Sequence, residues 1–158
     1  MIKIIQDNKE KSEICLKILN SLPKWFGIEQ AILDYAEEVK PCYFVSYQIE
    51  NKDIGFIAIK ENPVSYDIHV MGILEEFHRQ KIGYKLIKFV EEFAKMEKKK
   101  YMTVKTLSDD NPDINYKKTR EFYISLGYEP LEVLKTLWDE ENPCLYMIKT
   151  LYTNLSYN

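Results

Sequence analysis

The sequence predicts an α/β protein with a mixed β-sheet and about four helices. Two observations lead to this prediction: several segments alternate apolar and polar residues as strands do, and others place apolar residues at helical spacing. These segments follow the order strand, two helices, three strands, helix, strand, helix and two strands. Over 158 residues this order is typical of one layered domain. We expect the domain to cover residues 1–152 and a C-terminal tail to cover residues 153–158.

The first half of the chain is predicted to form a strand, two helices and a β-hairpin. The first strand is β-branched, and the first helix, which carries apolar residues on one face, can be capped by Asp7 or Ser12. Pro23 and Pro41 end the two helices. The predicted ranges are 1–6 for the strand, 28–39 for the second helix, and 42–49 and 54–60 for the hairpin strands around a turn at 50–53.

The second half is predicted to alternate strands and helices before a final pair of strands. A helix from Ile82 carries apolar residues on one face and charged residues on the other. A later helix follows an acidic loop and ends at Gly127, a residue suited to a helix C-terminus. The predicted ranges are 65–73 and 101–107 for two strands, 108–114 for the acidic loop, 116–126 for the later helix, and 128–138 and 145–151 for the last strands around a turn at 139–143.

Charge and composition limit the partners of the protein. The formal net charge is −3, so no basic surplus indicates a nucleic-acid partner. No segment has the length and apolar character of a membrane span or a secretion signal, so we expect a cytoplasmic protein without a membrane partner. Cys15, Cys42 and Cys144 lack metal-ligand spacing, and we expect buried reduced thiols and no metal.

A short basic turn follows the 65–73 strand at the point where a helix begins. It has the sequence FHRQKIGY over residues 77–84. The first N–H groups of a helix have no partner within the helix and lie at the positive end of its dipole, so they favour an anion. His78, Arg79 and Lys81 add positive charge. The turn is therefore predicted to bind a phosphate or pyrophosphate; the alternative is a basic helix start in solvent.

A second motif lies about forty residues downstream, FYISLGY over residues 122–128. It is similar to the run L/F-Y-x-x-x-G-F/Y, and the basic turn is similar to Q/R-x-x-G-x-G/A, both motifs of the GCN5-related N-acetyltransferase (GNAT) family. In the basic turn, the three key positions of Q/R-x-x-G-x-G/A correspond to His78, Lys81 and Gly83. His78 and Lys81 depart from the pattern, whereas Gly83 matches it. A lysine at position 81 lacks the conformational freedom of the expected glycine, although its ammonium group could contact phosphate.

The resemblance covers nearly the whole chain and implies the acyl-CoA N-acyltransferase fold. In that fold the sheet is mostly antiparallel, its fourth and fifth strands splay apart, and acetyl-CoA lies in the gap as co-substrate. Pantetheine amides would pair with the fourth strand, and backbone N–H groups of the basic turn would hold the pyrophosphate. The residues implied are Met71, Gly72 and Ile73 for pantetheine, His78, Arg79, Gln80, Lys81, Ile82, Gly83 and Tyr84 for pyrophosphate, and Tyr116 and Tyr123 from the second motif.

The resemblance also implies an N-acetyltransferase in which the amine attacks directly, helped by a base and a proton donor. Tyr123 matches the tyrosine that protonates the departing thiolate; the alternative is a core aromatic residue. Asp67 precedes His78 by eleven residues, a spacing similar to that of the glutamate base in some members; the alternative is a strand-end carboxylate in solvent. His69 lies on the same face of the strand and suits base chemistry near neutral pH; the alternative is a half-buried, hydrogen-bonded histidine.

The expected acceptor is a primary amine of a small molecule, cationic in the manner of an aminoglycoside. In the family the first two helices and the last hairpin frame the acceptor, which implies Trp25 and Phe26, while Asp109 in the acidic loop could attract a cation. Ordinary packing and a solvated loop are the alternatives. A peptide or protein N-acetyltransferase and a non-catalytic acyl-CoA sensor also stay open, as does a homodimer formed through edge strands.

Overall fold

The chain folds into alternating strands and helices, and a computed structural model describes residues 1–152, so the predicted tail lies outside the described residues. The elements are β1 (Ile2–Ile5), α1 (Asn8–Asn20), α2 (Glu29–Glu38), β2 (Tyr43–Ile49), β3 (Lys52–Glu61), β4 (Ser65–Ile73), a 3-10 turn (Glu75–Phe77), α3 (Ile82–Met96), β5 (Tyr101–Leu107), α4 (Ile114–Ser125), β6 (Glu129–Asp139) and β7 (Asn142–Thr150). The strands form a mixed sheet in the order β1-β2-β3-β4-β5-β7-β6. The predicted α/β class, with four α-helices in the described residues, is confirmed.

The hairpin turns are shorter than the sequence predicts. The β2–β3 turn contains only Glu50 and Asn51, whose φ angles are 51° and 63°. Two consecutive left-handed residues are typical of a type I′ turn, which matches the twist of the strands it joins. The β6–β7 turn likewise contains only residues 140–141. Strand pairing therefore continues into positions that composition alone assigns to loops.

Side-chain caps fix where α1 and α4 begin. Asp7 accepts a hydrogen bond from the N–H of Glu10 at 2.8 Å, so Asp7 rather than Ser12 caps α1. Asp113 accepts one from the N–H of Asn115 at 2.8 Å, and α4 therefore begins two residues before its predicted start. Each carboxylate satisfies an N–H group that has no partner within its helix.

The chain divides into two compact units. The first comprises Met1–Glu61 and Ile68–Phe93, and the second comprises Asn62–Asp67 and Ala94–Asn158, of which residues up to 152 are described. The first unit holds β1 to β3, α1, α2, and most of β4 and α3; the second holds β5 to β7 and α4. The expected single domain over residues 1–152 stays a prediction.

In the first unit, α1 and β4 approach each other closely because Gly72 has no side chain. A Cβ atom at this position would lie 3.0 Å from Cγ2 of Ile18 and 3.2 Å from Cδ2 of Leu19, both on α1. The buried core beside this contact includes residues from α1, α2 and the sheet, namely Ile14, Ile18, Leu19, Ile32, Phe44, Phe56 and Val70. Tyr43 of β2 stacks on Phe93 of α3, with ring centroids 3.7 Å apart.

Lys11, a buried residue of α1, joins this helix to the segment that follows α2. The residue is 7% exposed, and its Nζ donates to the carbonyl oxygens of Lys40 at 3.0 Å and Cys42 at 2.8 Å. Removing an ammonium group from water costs free energy unless hydrogen bonds replace those to water. The two carbonyl groups supply that replacement, and they fix the end of α2 against α1.

In the second unit, Arg120 of α4 supports the end of β5. Its buried guanidinium donates from Nη1 to the carbonyl oxygen of Leu107 at 2.7 Å. Gly127 follows α4 with a φ of 95°, a conformation that favours glycine and ends the helix. Both ends of α4 are therefore fixed by specific interactions. Among residues 1–152, no helix combines the length and apolar character needed to cross a bilayer.

We expect Lys11→Met to lower the free energy of unfolding by about 2–3 kcal/mol, because it leaves two carbonyl groups without a charged donor. Urea denaturation followed by circular dichroism measures the change. Lys9→Met is the matched control, since Lys9 is on the same helix and its side chain is 85% exposed. Equal midpoint shifts in the two variants would contradict a special role for Lys11.

Candidate active site

His69 of β4 pairs with a carboxylate from α2. Its Nε2 lies 2.7 Å from Oε2 of Glu38, the last residue of α2; the imidazole is 15% exposed and the carboxylate side chain 44%. Because an ionised carboxylate only accepts hydrogen bonds, the neutral imidazole carries its proton on Nε2, and Nδ1 is its basic nitrogen. The sequence indicates His69 but not Glu38, because 31 residues separate the two and only folding brings them together.

Within the first unit, one aromatic ring contacts His69 and a second ring packs against the first. The Tyr35 ring meets the His69 ring edge to face with centroids 5.5 Å apart, and Phe26 meets Tyr35 in the same way at 5.9 Å. Phe26 and Tyr35 are partly buried and pack against the core. Burial raises the pKa of the Tyr35 phenol, and the charge of Glu38 raises it further. The phenol is therefore neutral beside the His69–Glu38 pair.

Two residues of the basic turn adopt a left-handed backbone conformation, which is unfavourable for residues other than glycine. Arg79 and Lys81 have φ angles of 66° and 63°, so Lys81 is left-handed at the position where the family pattern has glycine. A left-handed residue followed by Ile82, the first residue of α3, aims successive N–H groups toward one concave region. Such a concavity binds anions. The turn thus has a left-handed residue before α3 although lysine stands where the family pattern has glycine.

His78 ties the turn to the end of β4. Its Nε2 lies 2.7 Å from the carbonyl oxygen of Ile73, to which it donates, and its ring meets the Trp25 ring edge to face at 5.4 Å. Lys24, next to Trp25, forms an ion pair with Glu75 in the 3-10 turn. The loop after α1 and the basic turn are therefore packed together. Here Trp25 contacts His78, whereas Phe26 contacts Tyr35.

The pantetheine positions expected on β4 differ in burial. Met71 and Ile73 are half-buried, whereas Gly72 is buried against α1. The N–H group of Leu74 donates to the carbonyl oxygen of Ile54 at 2.9 Å, which holds the residue after β4 to β3. The family resemblance implies a coenzyme contact for Gly72, and the structure shows that a side chain at this position would crowd side chains of α1.

Asp67 is buried in the second unit and is not a carboxylate in solvent. It is 7% exposed, and Oδ1 accepts a hydrogen bond from Oγ1 of Thr103 at 2.7 Å. Its Oδ2 lies 3.6 Å from Nζ of Lys105, and that ammonium group also lies 4.9 Å from the centre of the Tyr146 ring. Both carboxylate oxygens thus have partners from β5. These partners cannot be read from the sequence, because 36 residues separate Asp67 from Thr103.

Tyr123 lies on α4 and is 5% exposed. Its ring meets Phe122 at 5.4 Å and Tyr128 at 5.7 Å, edge to face in both cases. Burial raises the pKa of the Tyr123 phenol above its ordinary value, and the negative charge of Asp67 raises it further. The phenol keeps its proton at neutral pH and is chemically a proton donor rather than a base.

The acidic loop contains carboxylates in different environments. Asp113 caps α4 and also contacts the N–H of Tyr116, which is half-buried, whereas Asp109 is exposed. A cavity of about 330 Å³ lies beside the loop and is lined by Asp110, Lys135, Thr136, Glu140 and Pro143. Asp109 is not among these lining residues. In residues 1–152, no group of three or more His, Cys, Asp or Glu residues is arranged to hold a metal ion.

Many solved structures share this fold. A protein assigned to the GNAT family from Desulfovibrio desulfuricans has a TM-score of 0.83 and 14% identity, covering 96% of this chain and 99% of that one. An aminoglycoside 6′-N-acetyltransferase in complex with coenzyme A has a TM-score of 0.76 and 17% identity, with 98% of each chain covered. A ribosomal-protein-alanine N-acetyltransferase from Escherichia coli has a TM-score of 0.71 and 12% identity, with 97% and 96% covered. At these identities the likeness shows the fold.

The family itself is shown by a match of the sequence to a family model. The model describes an acetyltransferase (GNAT) domain and matches residues 40–130, which is more than half of the chain. No curated protein matches the sequence. The matched range contains β4, the basic turn and Tyr123. This protein therefore belongs to the GNAT family and is an acetyl-CoA-dependent N-acetyltransferase.

Proposed function

We propose that the protein acetylates a primary amine of a small cationic molecule, with His69 as the base. The observation that carries the proposal is the His69–Glu38 pair with the Tyr35 ring beside His69 and the Phe26 ring packed against Tyr35. A carboxylate and aromatic faces favour a cation, and a neutral imidazole can take a proton from an ammonium group. That several solved structures of this fold are aminoglycoside N-acetyltransferases supports the same acceptor class.

The coenzyme is proposed to contact two segments of the first unit. Pantetheine amides would pair with β4 at Met71–Ile73, and the pyrophosphate would lie on N–H groups of residues 78–84. The left-handed Lys81 supports this assignment, because it gives the turn a concave backbone. The exposed side chains of Arg79 and Lys81 would add attraction for phosphate. The contact expected for Tyr116 stays a prediction.

His69 is favoured over Asp67 as the base. Both oxygens of Asp67 are engaged, by the Thr103 hydroxyl and by the Lys105 ammonium group, whereas the Nδ1 of His69 is basic when Glu38 holds its Nε2 proton. A role of Asp67 in holding Lys105 fits these contacts better than proton abstraction. Asp109, exposed in the acidic loop, is proposed to attract a cationic acceptor over a longer range.

The proposed proton transfers balance as follows. Acetyl-CoA supplies the thioester carbonyl, which forms a C–N bond with the amine as its C–S bond breaks. Before attack His69 takes one proton from the ammonium group and later passes it to solvent. Tyr123 gives its proton to the departing sulfur, and the second proton lost by the amine nitrogen restores the phenol. The net products are an N-acetyl amine, a free thiol and one proton.

We expect thiol release from acetyl-CoA to be fastest with polyamines or aminoglycosides, because a cationic acceptor suits the carboxylate and aromatic groups. A thiol-reactive dye records turnover across a panel of polyamines, aminoglycosides, peptide amines and neutral amines. Activity confined to neutral acceptors would refute the cationic acceptor. Activity confined to peptides would indicate a peptide N-acetyltransferase, and binding of acetyl-CoA without thiol release from any amine would indicate a sensor.

Tyr123→Phe is expected to lower kcat by about 10²-fold, the lower end of the range for general acid catalysis, with the KM for acetyl-CoA little changed. The phenylalanine fills the same space but has no proton to give. Steady-state kinetics with the best amine of the panel measures both constants. Tyr128→Phe, a second buried tyrosine of the same unit, is the control and should keep its kcat. An unchanged kcat in Tyr123→Phe would remove Tyr123 from the mechanism.

Lys81→Gly is expected to raise the free energy of unfolding by up to about 1 kcal/mol, because glycine adopts a positive φ without strain. Thermal unfolding measures the change, and isothermal titration with acetyl-CoA shows what the lysine charge adds to binding. Lys118→Gly, at an exposed position within α4, is the control and should destabilise by about 1 kcal/mol. Equal destabilisation in both variants would contradict the left-handed backbone at Lys81.

A further inference from the structure

We infer that Glu38 is a positioning residue for the acetyl transfer, holding the His69 imidazole so that Nδ1 takes a proton from the acceptor amine. The inference rests on the proposed role of His69. Within the first unit, it adds a residue from α2 to those of β4 and the basic turn that the sequence analysis indicates.

The contact between the two side chains fixes both the orientation and the tautomer of the imidazole. The Nε2–Oε2 distance of 2.7 Å is that of a strong, charge-assisted hydrogen bond. Because an ionised carboxylate offers no proton, the neutral imidazole must donate from Nε2. The Tyr35 ring at 5.5 Å restricts rotation of the imidazole from a second direction. Nδ1 is then the nitrogen that gains a proton.

Glu38 is held on a fixed backbone. The carbonyl oxygen of Glu38 accepts a hydrogen bond from Sγ of Cys42 at 3.4 Å. Lys11 holds the carbonyl groups of Lys40 and Cys42 at 3.0 and 2.8 Å. The end of α2 is thus tied to α1 and to the start of β2. A carboxylate that must orient another side chain benefits from such anchoring.

Glu38 is the carboxylate in contact with the imidazole, and two groups that interact with it, Cys15 and Tyr35, carry no charge at neutral pH. Burial raises the pKa of the Cys15 thiol to about 12, with smaller effects of Cys42 and Glu38, and it also raises the pKa of the Tyr35 phenol. Both groups are neutral near pH 7. The nearby cation Lys40 pairs with Glu37 instead, at 2.8 Å. When Nδ1 gains its proton, the carboxylate of Glu38 therefore stabilises the imidazolium.

The proton step leaves every atom accounted for. One N–H bond of the acceptor ammonium breaks, its electron pair stays on the amine nitrogen, and an Nδ1–H bond forms on His69. The Nε2 proton stays between His69 and Glu38 throughout. After transfer of the acetyl group, the Nδ1 proton passes to water.

The test compares Glu38→Gln with Glu37→Gln in steady-state kinetics. We expect Glu38→Gln to lower kcat tenfold or more, with the KM for acetyl-CoA within about twofold, because the neutral amide no longer stabilises the imidazolium. Glu37→Gln makes the same chemical change one residue earlier, where the side chain is 72% exposed, and should leave both constants unchanged. Equal kcat values for wild type and Glu38→Gln would overturn the inference.

A double-mutant cycle with His69→Gln separates positioning from a general effect on stability. If Glu38 acts through His69, the double variant should lose no more kcat than His69→Gln alone. Losses that add would overturn the inference. If His69→Gln keeps full activity, the proposed base fails; if wild type releases no thiol with any amine, the proposed function fails. Loss in His69→Gln without loss in Glu38→Gln rejects the positioning role alone.

A readout that needs neither activity nor a folded Glu38 variant completes the test. The chain has only two histidines, His69 and His78, so ¹⁵N NMR of histidine-labelled wild type resolves their tautomers, with His78→Asn for assignment. We expect neutral His69 to carry its proton on Nε2. A neutral His69 protonated on Nδ1 would overturn the inference even where Glu38→Gln does not fold.

Discussion

The His69–Glu38 pair, which is proposed to meet the acceptor, depends on the hydrogen bonds of the buried Lys11 ammonium group. Lys11 is 7% exposed on α1, and its ammonium group donates to two carbonyl groups of the segment after α2. These hydrogen bonds offset the cost of removing the charge from water, and they fix the chain where α2 ends. Glu38 is the last residue of α2, so its contact with His69 follows from where Lys11 holds that end. The same hydrogen bonds of Lys11 thus stabilise the fold and place Glu38 for its proposed role beside His69.

The basic turn shows that a backbone shape can persist when the residue that normally permits it is replaced. Lys81 adopts a φ of 63°, and Arg79 one of 66°, so two long side chains occupy a conformation in which glycine is preferred. The neighbouring contacts of His78 with Ile73 and Trp25 hold the turn in place. Local strain of this kind is retained where the surrounding structure requires it, and it concentrates at functional sites.

Asp67 and His69 share a strand, but their surroundings give them different chemistry. Asp67 is buried and bound by Thr103 and Lys105, whereas His69 is half-buried beside a carboxylate and an aromatic ring. The proposed mechanism therefore assigns base chemistry to His69 and a supporting role to Asp67. Within the second unit, Asp67 also raises the pKa of the Tyr123 phenol, which favours the protonated form that a proton donor needs.

The sequence by itself determined the features that depend on residues close together along the chain. Apolar periodicity places the strands and helices, Gly127 marks a helix end, and the basic turn with the run at 122–128 is enough to indicate the family. The sequence left the cap of α1 open between Asp7 and Ser12, and the structure decided for Asp7. The tertiary structure alone decided which distant groups meet, such as His69 with Glu38, 31 residues away. It also decided that Lys81 is left-handed and that Asp67 is buried. The physical reason is that local patterns report periodicity and backbone preference, whereas burial and pairing depend on how the whole chain packs.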